Sequence, residues 1–168
     1  MAKNERFFVG IDPSFNSTGI IILDQDGKII EELNFSLKKY TEIEEKLINF
    51  EKTISFIPSM VRLQSVYIEG PAYMASGQYV LQMGALHYLL RLFLYKYKIN
   101  YKVIAPGTLK KFVTGKGNAK KDLILLKVYK KWGVEFEVDD LADAYGLARM
   151  ALEEYKNGPN VNLLRSSK

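Results

Sequence analysis

The spacing of apolar positions changes along the chain, and each change marks an element. Arg6 to Ile11 is a short apolar run that stops at Asp12-Pro13, as a strand does when proline ends it. A second run, Thr18 to Leu23, leads through Asp24-Gln25-Asp26-Gly27 into a third, Lys28 to Ser36. The Asp-Gly pair offers the positive φ of a tight hairpin, so the three segments predict an antiparallel meander. From Thr41 the period lengthens. Ile43, Leu47, Ile48, Phe50 and Ile54 recur at helical intervals, Thr41 and Glu44 are spaced as a capping box, and Pro58 ends or kinks the helix.

Ser65 to Glu69 predicts a fourth strand stopped by Gly70-Pro71, and Asn100 to Ala105 a fifth stopped by Pro106-Gly107. Between them Ser76 to Tyr97 predicts a long helix, apolar around most of its circumference and so buried on both sides. A short helix over Thr108 to Val113, a mobile loop at Thr114 to Gly117, and helices over Asn118 to Trp132 and Asp139 to Tyr155 follow. The order predicts an α/β fold: a five-stranded mixed sheet, three antiparallel strands then two parallel, with helices on both faces. Residues 1–156 read as a single domain and 157–168 as a flexible tail.

Composition narrows the chemistry. There is no cysteine and one histidine, His87, which removes disulfide scaffolds, zinc ribbons and thiol nucleophiles and leaves no room for a His-rich metal site. Catalysis must rest on carboxylates, lysines or hydroxyls. His87 lies in an apolar helix and reads as a satisfied core or interface residue. No secretory signal and no membrane-spanning run is visible, so a cytoplasmic protein is expected.

Four acids stand out against this background. Asp12 and Glu69 each end an apolar strand, and neighbouring strand ends bring such residues within reach of one ion. The plainer reading of Asp12 is an Asx turn before Pro13. In Val138-Asp139-Asp140-Leu141-Ala142-Asp143-Ala144, Asp140 and Asp143 are i and i+3 and share a helix face; Asp139 and Asp143, at i and i+4, also share one. An N-cap and a favourable helix dipole explain Asp139 and Asp140. They do not explain Asp143 among Leu141, Ala142, Ala144 and Leu147, where a carboxylate is costly unless paired or metal-bound. Carboxylates without His or Cys are hard oxygen ligands that suit Mg2+ or Mn2+. Two such ions roughly 3.5–4 Å apart are the arrangement for phosphodiester cleavage, one activating water and one stabilising the leaving 3′ oxygen.

Net charge is +5, but it is unevenly placed. Residues 96–131 hold 11 lysines and one acid, Asp122, for +10, and the remainder carries −5. Lys110 and Lys111, then Gly115-Lys116-Gly117 and Lys120-Lys121, read either as a solvated face with a loop or as a phosphate-binding segment, the glycines allowing close backbone approach. Tyr73, just after the fourth strand, reads either as a packing aromatic or as one that stacks on an unpaired base.

The ordered set resembles the RuvC family of Holliday junction resolvases, of the RNase H-like superfamily. The matching segments are Gly10-Ile11-Asp12-Pro13-Ser14 with Thr18-Gly19, Tyr67-Ile68-Glu69, the Lys/Gly segment from Pro106 to Lys121, and Asp140-Leu141-Ala142-Asp143-Ala144. The short, lysine-rich form is similar to the bacteriophage and low-GC Gram-positive branch. The resemblance implies a homodimer that binds four-way DNA junctions and makes two symmetric nicks. It implies metal held by Asp12, Glu69, Asp140 and Asp143, with the D-x-x-D match favouring Asp140 over Asp139. It also implies DNA contacts from Lys116 and from Lys120 or Lys121, and a dimer interface on the long helix. Cellular members carry an aromatic about three residues after the glutamate, where this chain has Gly70-Pro71-Ala72-Tyr73.

Three activities are therefore to be separated: a metal-dependent junction endonuclease, with forks and flaps as broader substrates; a junction-binding module without catalysis, disfavoured because all four acids are present; and a small actin-like ATPase. The last rests on the loose likeness of Gly10 to Gly19 to a first phosphate loop. The chain is too short for two lobes and lacks a second phosphate loop, so no nucleotide cofactor is expected.

Overall fold

A computed structural model describes residues 5–71 and 77–158. The strands are β1 (Phe7–Asp12), β2 (Thr18–Leu23), β3 (Ile29–Phe35), β4 (Leu63–Glu69) and β5 (Tyr101–Ile104). The helices are α1 (Ile43–Ile54), α2 (Gln78–Lys96), α3 (Pro106–Thr114), α4 (Lys121–Trp132) and α5 (Asp139–Asn157), with a single 3-10 turn at Ile57–Ser59. The sheet order is β3-β2-β1-β4-β5. β2 pairs antiparallel with both β1 and β3, whereas β1–β4 and β4–β5 are parallel. This is the expected mixed five-stranded sheet.

Strand periodicity divides the interior in two. Phe8, Ile21, Leu23 and Tyr67 face a layer built from α3, α4 and α5, which adds Leu109, Ile124, Val128 and the fully buried Tyr145. Val9, Ile11, Ile20, Ile22, Val66 and Ile68 face α1 and α2, with Phe50, Leu86, Leu90 and Leu94. Helices thus cover both faces, and the central β1 is buried on both sides as parallel pairing requires. Among the described residues, no helix is long and apolar enough to cross a membrane.

α5 reaches the sheet through missing side chains. A Cβ on Gly10 would lie 1.9 Å from the Ala144 carbonyl oxygen, and one on Gly19 would lie 2.3 Å from the Asp140 carbonyl oxygen. Both distances are far inside van der Waals contact, so only glycine permits this approach. The first turns of α5 therefore sit directly over the ends of β1 and β2.

Several local readings are corrected. α1 starts at Ile43 with Glu42 at the N-cap and no side-chain cap bond; Ile43 packs into the second core, which sets the start there and leaves Thr41 and Glu44 out of capping-box register. The helix expected from Asn118 begins at Lys121. Asp139 is the first residue of α5, and Val138 holds the N-cap position. α2 is not buried on both sides: Leu86, Leu90, Phe93 and Leu94 are buried, while Leu81, Tyr88, Leu92 and Tyr95 are exposed. The Thr114 to Gly117 segment is held rather than loose. The Thr114 hydroxyl donates to the Lys110 carbonyl at 2.7 Å and accepts from the Lys116 N–H at 3.1 Å, while Gly115 closes α3 at φ +83°.

Candidate metal centre

Asp12 and Glu69 are the last residues of β1 and β4. The parallel register pairs Gly10 with Tyr67 and Ile11 with Ile68, so the next pair along is Asp12 beside Glu69. Alternation gives Asp12 the parity of Phe8 and Glu69 the parity of Tyr67, both of which face α5. α5 answers with Asp143 in its second turn. Among the described residues, one carboxylate oxygen from each of Asp12, Glu69 and Asp143 lies within 4.8 Å of the other two. Asp140, one turn earlier on α5, lines the same cavity but stands outside that close trio. Asp139 turns elsewhere and forms an ion pair with Lys121. The loop after Asp12 is fixed by buried Thr18, whose hydroxyl donates to the Ser14 carbonyl at 2.6 Å and accepts from the Ser14 N–H at 3.0 Å.

The trio is electrostatically costly as it stands. Burial lifts the Asp12 pKa well above the ordinary carboxylate range, with further lifts from Glu69, Asp143 and Asp140. Burial also raises Glu69, opposed by a hydrogen bond from the Asp12 carboxyl and by the charges of Lys110 and Lys121. Asp143 is raised to about 7, by burial first and the Glu69 charge second, with Lys121 pulling the other way. Its Oδ1 is buried and has no hydrogen-bond partner among the described residues, a state that costs on the order of 1–3 kcal/mol or more for a charged group. Three crowded carboxylates, one with an orphaned oxygen, fit a hard divalent cation that would satisfy the oxygen and neutralise the charge. Asp12, Glu69 and Asp143 are the residues placed to hold it, with Asp140 adjacent.

These acids open into a cavity of about 370 Å³. Lys110 of α3 and Lys121 of α4 reach it; Lys111, Lys116 and Lys120 are exposed outside it. Tyr73 lies outside the described residues. The far wall comes from α2, through Tyr79, Val80, Met83 and His87. His87 is thus not the satisfied core residue the sequence suggests: it is buried, lines the acidic cavity, and its Nδ1 has no hydrogen-bond partner among the described residues. Burial, then the Arg91 charge, lowers its pKa to about 4, so the ring is neutral at pH 7. The one sequence signal for it was an imidazole placed inside a largely apolar helix.

The family model described as "Crossover junction endodeoxyribonuclease RuvC" matches residues 8–151. The RuvC crossover junction endodeoxyribonuclease of Sulfurovum sp. (strain NBC37-1) is 28% identical over 152 residues, covering 88% of this chain and 96% of that protein. The RuvC of Orientia tsutsugamushi (strain Ikeda) is 29% identical over 150 residues, covering 82% and 91%. Among solved structures, Thermus thermophilus RuvC superposes with a TM-score of 0.73 at 15% identity, covering 89% of this chain and 96% of that one. The same Thermus protein in complex with Holliday junction substrate gives 0.72 at 16% identity, covering 85% and 90%. At these identities the structural likeness speaks for the fold.

Proposed function

Because the chain belongs to the RuvC crossover junction endodeoxyribonuclease family, we propose that it resolves four-way DNA junctions by metal-dependent hydrolysis, with Asp12, Glu69, Asp140 and Asp143 as the metal-holding acids. The observation that carries this reading is the convergence of three carboxylates from β1, β4 and α5 within 4.8 Å, at the floor of a lysine-flanked cavity.

Mg2+ or Mn2+, two ions per site, would supply the charge that activates water and stabilises the leaving oxygen. The chain's own residues supply the rest. The acids fix where the scissile phosphate must lie. Lys110 and Lys121, at the cavity rim, attract the backbone and offset the acids' repulsion of it. Lys111, Lys116 and Lys120 extend that field over the surface beyond, along which a junction arm would run.

A homodimer accounts for paired nicks, and the exposed α2 face is the surface it would use. Leu81, Tyr88, Leu92 and Tyr95 recur at intervals of seven, four and three residues, which places them on one side of the helix. The nuclease domain would comprise residues 1–156.

The test is cleavage of a panel of four-way junctions, forks and flaps, with both cut strands mapped. Paired symmetric nicks in junctions, abolished by Asp12→Asn while junction binding persists, are expected. Cuts confined to flaps would replace the junction assignment with debranching. Undiminished cutting by Asp12→Asn would overturn the site.

A further inference from the structure

The α2 wall of the cavity holds the one polar side chain for which the function above has no use. Tyr79, Met83 and His87 are spaced i, i+4, i+8, so one helical face lines the cavity from its lip inward. Tyr79 is 47% exposed at the lip, and His87 is 5% exposed at depth. A leucine would fill the deep position at no polar cost. The chain instead buries an imidazole whose Nδ1 finds no partner among the described residues, an arrangement that costs stability unless something bonds it. Arg91, one turn further on, does not relieve it: its own buried Nε also has no hydrogen-bond partner among the described residues, and its guanidinium lies over the Tyr88 ring.

The same cavity holds a second orphan, Asp143 Oδ1, on α5. Two unpartnered buried polar atoms, from different elements and opposite sides of the sheet's end, belong to residues that line one cavity. A single polar occupant of that space accounts for both. His87 is outside the group of ligand atoms within 4.8 Å of one another, and as a neutral imidazole on the opposite wall it stands behind the carboxylates rather than among them. A group one hydrogen bond removed from the ligands orients them and tunes affinity.

We propose that His87 is a positioning residue of this centre: from the α2 wall it hydrogen-bonds the hydration shell of the divalent cation held by Asp12, Glu69 and Asp143. This rests on the metal reading given above. It couples the long helix, and whatever packs on that helix's outer face, to the geometry of the acids.

The experiment is Mn2+ titration of the full chain, followed by the electron-spin resonance of free Mn2+, for the wild type and for Asp143→Asn, His87→Leu and His87→Asn. Asn returns an amide near the position of Nδ1. His87→Leu is expected to weaken Mn2+ binding about tenfold, and His87→Asn to recover most of the loss. Pulsed measurements on bound Mn2+ should show no strong coupling to an imidazole nitrogen. If Asp143→Asn loses Mn2+ while His87→Leu binds within twofold of wild type, the positioning role fails and the metal reading stands. If Asp143→Asn binds as tightly as wild type, the metal reading fails and takes the proposal with it. Equal loss in both His87 variants, with metal-free melting temperatures lowered in both, would make His87 purely structural and overturn the proposal. A strong nitrogen coupling would also overturn it, in favour of direct ligation.

Discussion

Asp12 and Glu69, at the adjacent ends of two parallel strands, stand with a carboxylate oxygen each within 4.8 Å of the other and of Asp143, and the nearness of Glu69 adds to burial in raising the Asp12 pKa. A cation entering between them must displace the protons that this crowding favours. Burial raises all three acids of the trio above their usual range, Asp143 to about 7. The charged forms that bind metal therefore become available only as pH rises toward and past 7. Mn2+ affinity should climb between pH 6 and 8.5, and calorimetry in buffers of different ionisation enthalpy should show protons released on binding. An affinity independent of pH across that range would contradict the raised carboxyls.

The same shift has a second consequence, for stability without metal. A carboxyl whose pKa is raised on folding binds more protons in the native state than in the unfolded state between about 4 and 7, so stability falls as pH rises through that window. The metal-free protein should melt at a lower temperature at pH 8 than at pH 5.5. Asp143→Asn should remove the part of that decline that Asp143 contributes and stabilise the metal-free chain at pH 8, on the order of 2–4 kcal/mol. Thermal melts in chelator at both pH values check this.

Gly10→Ala should be among the most damaging single-methyl changes in the chain. The added Cβ would meet the backbone of Ala144 and Ala148, which cannot rotate away, so α5 must lift from β1. A loss of about 3 kcal/mol or more is expected, together with weakened Mn2+ binding, because Asp143 moves with α5. Gly84→Ala, with open space around its Cβ, is the control and should be near neutral or slightly stabilising.

The five strands and the five helices were legible because strand alternation, helical period and proline or glycine stops are strong local signals. The acids were legible because Asp143 on an apolar helix face violates burial rules unless it has a partner. What was not legible was tertiary. Nothing local says that Gly10 and Gly19 are contact points for α5, although both sit in strands where glycine is otherwise unfavourable. The cap of α1 moved because packing Ile43 outweighed a capping box. His87 was read as satisfied because sequence cannot show that the cavity wall leaves its Nδ1 unpaired. Between Asp139 and Asp140 the D-x-x-D spacing already favoured Asp140, and the structure adds the physical reason that Lys121 pairs with Asp139.

That last pairing makes a direct test of register. Asp139→Asn breaks the ion pair to an exposed lysine and leaves the cavity acids untouched, so cleavage should persist. The freed Lys121 should bind junction DNA modestly tighter at low salt. Asp140→Asn, at the cavity wall, should cut poorly, with k falling at least tenfold. Single-turnover cleavage of both variants, with junction affinity measured at two salt concentrations, decides between them.

The outer face of α2 gives the last expectation. Leu92 is 64% exposed and flanked by the exposed Tyr88 and Tyr95, the surface that the proposed homodimer would bury. Leu92→Glu should shift the protein from dimer to monomer in sedimentation velocity without lowering the melting temperature of the monomer fold. Unchanged sedimentation would place any dimer contact elsewhere.

The close seating of α5 on glycine backbone also decides which parts of the centre can loosen. Asp143 is carried by a helix whose inner residues, from Leu141 to Ala148, are buried against β1 and β2. Its amides can exchange with solvent only when the sheet itself opens, so no partial opening can detach one acid from the other two. The lysines ride on α3 and α4 at the surface, where small openings are cheap. Hydrogen exchange should thus divide the centre into a slow acidic floor that keeps its shape between turnovers and a fast basic rim that can adjust to each strand it meets.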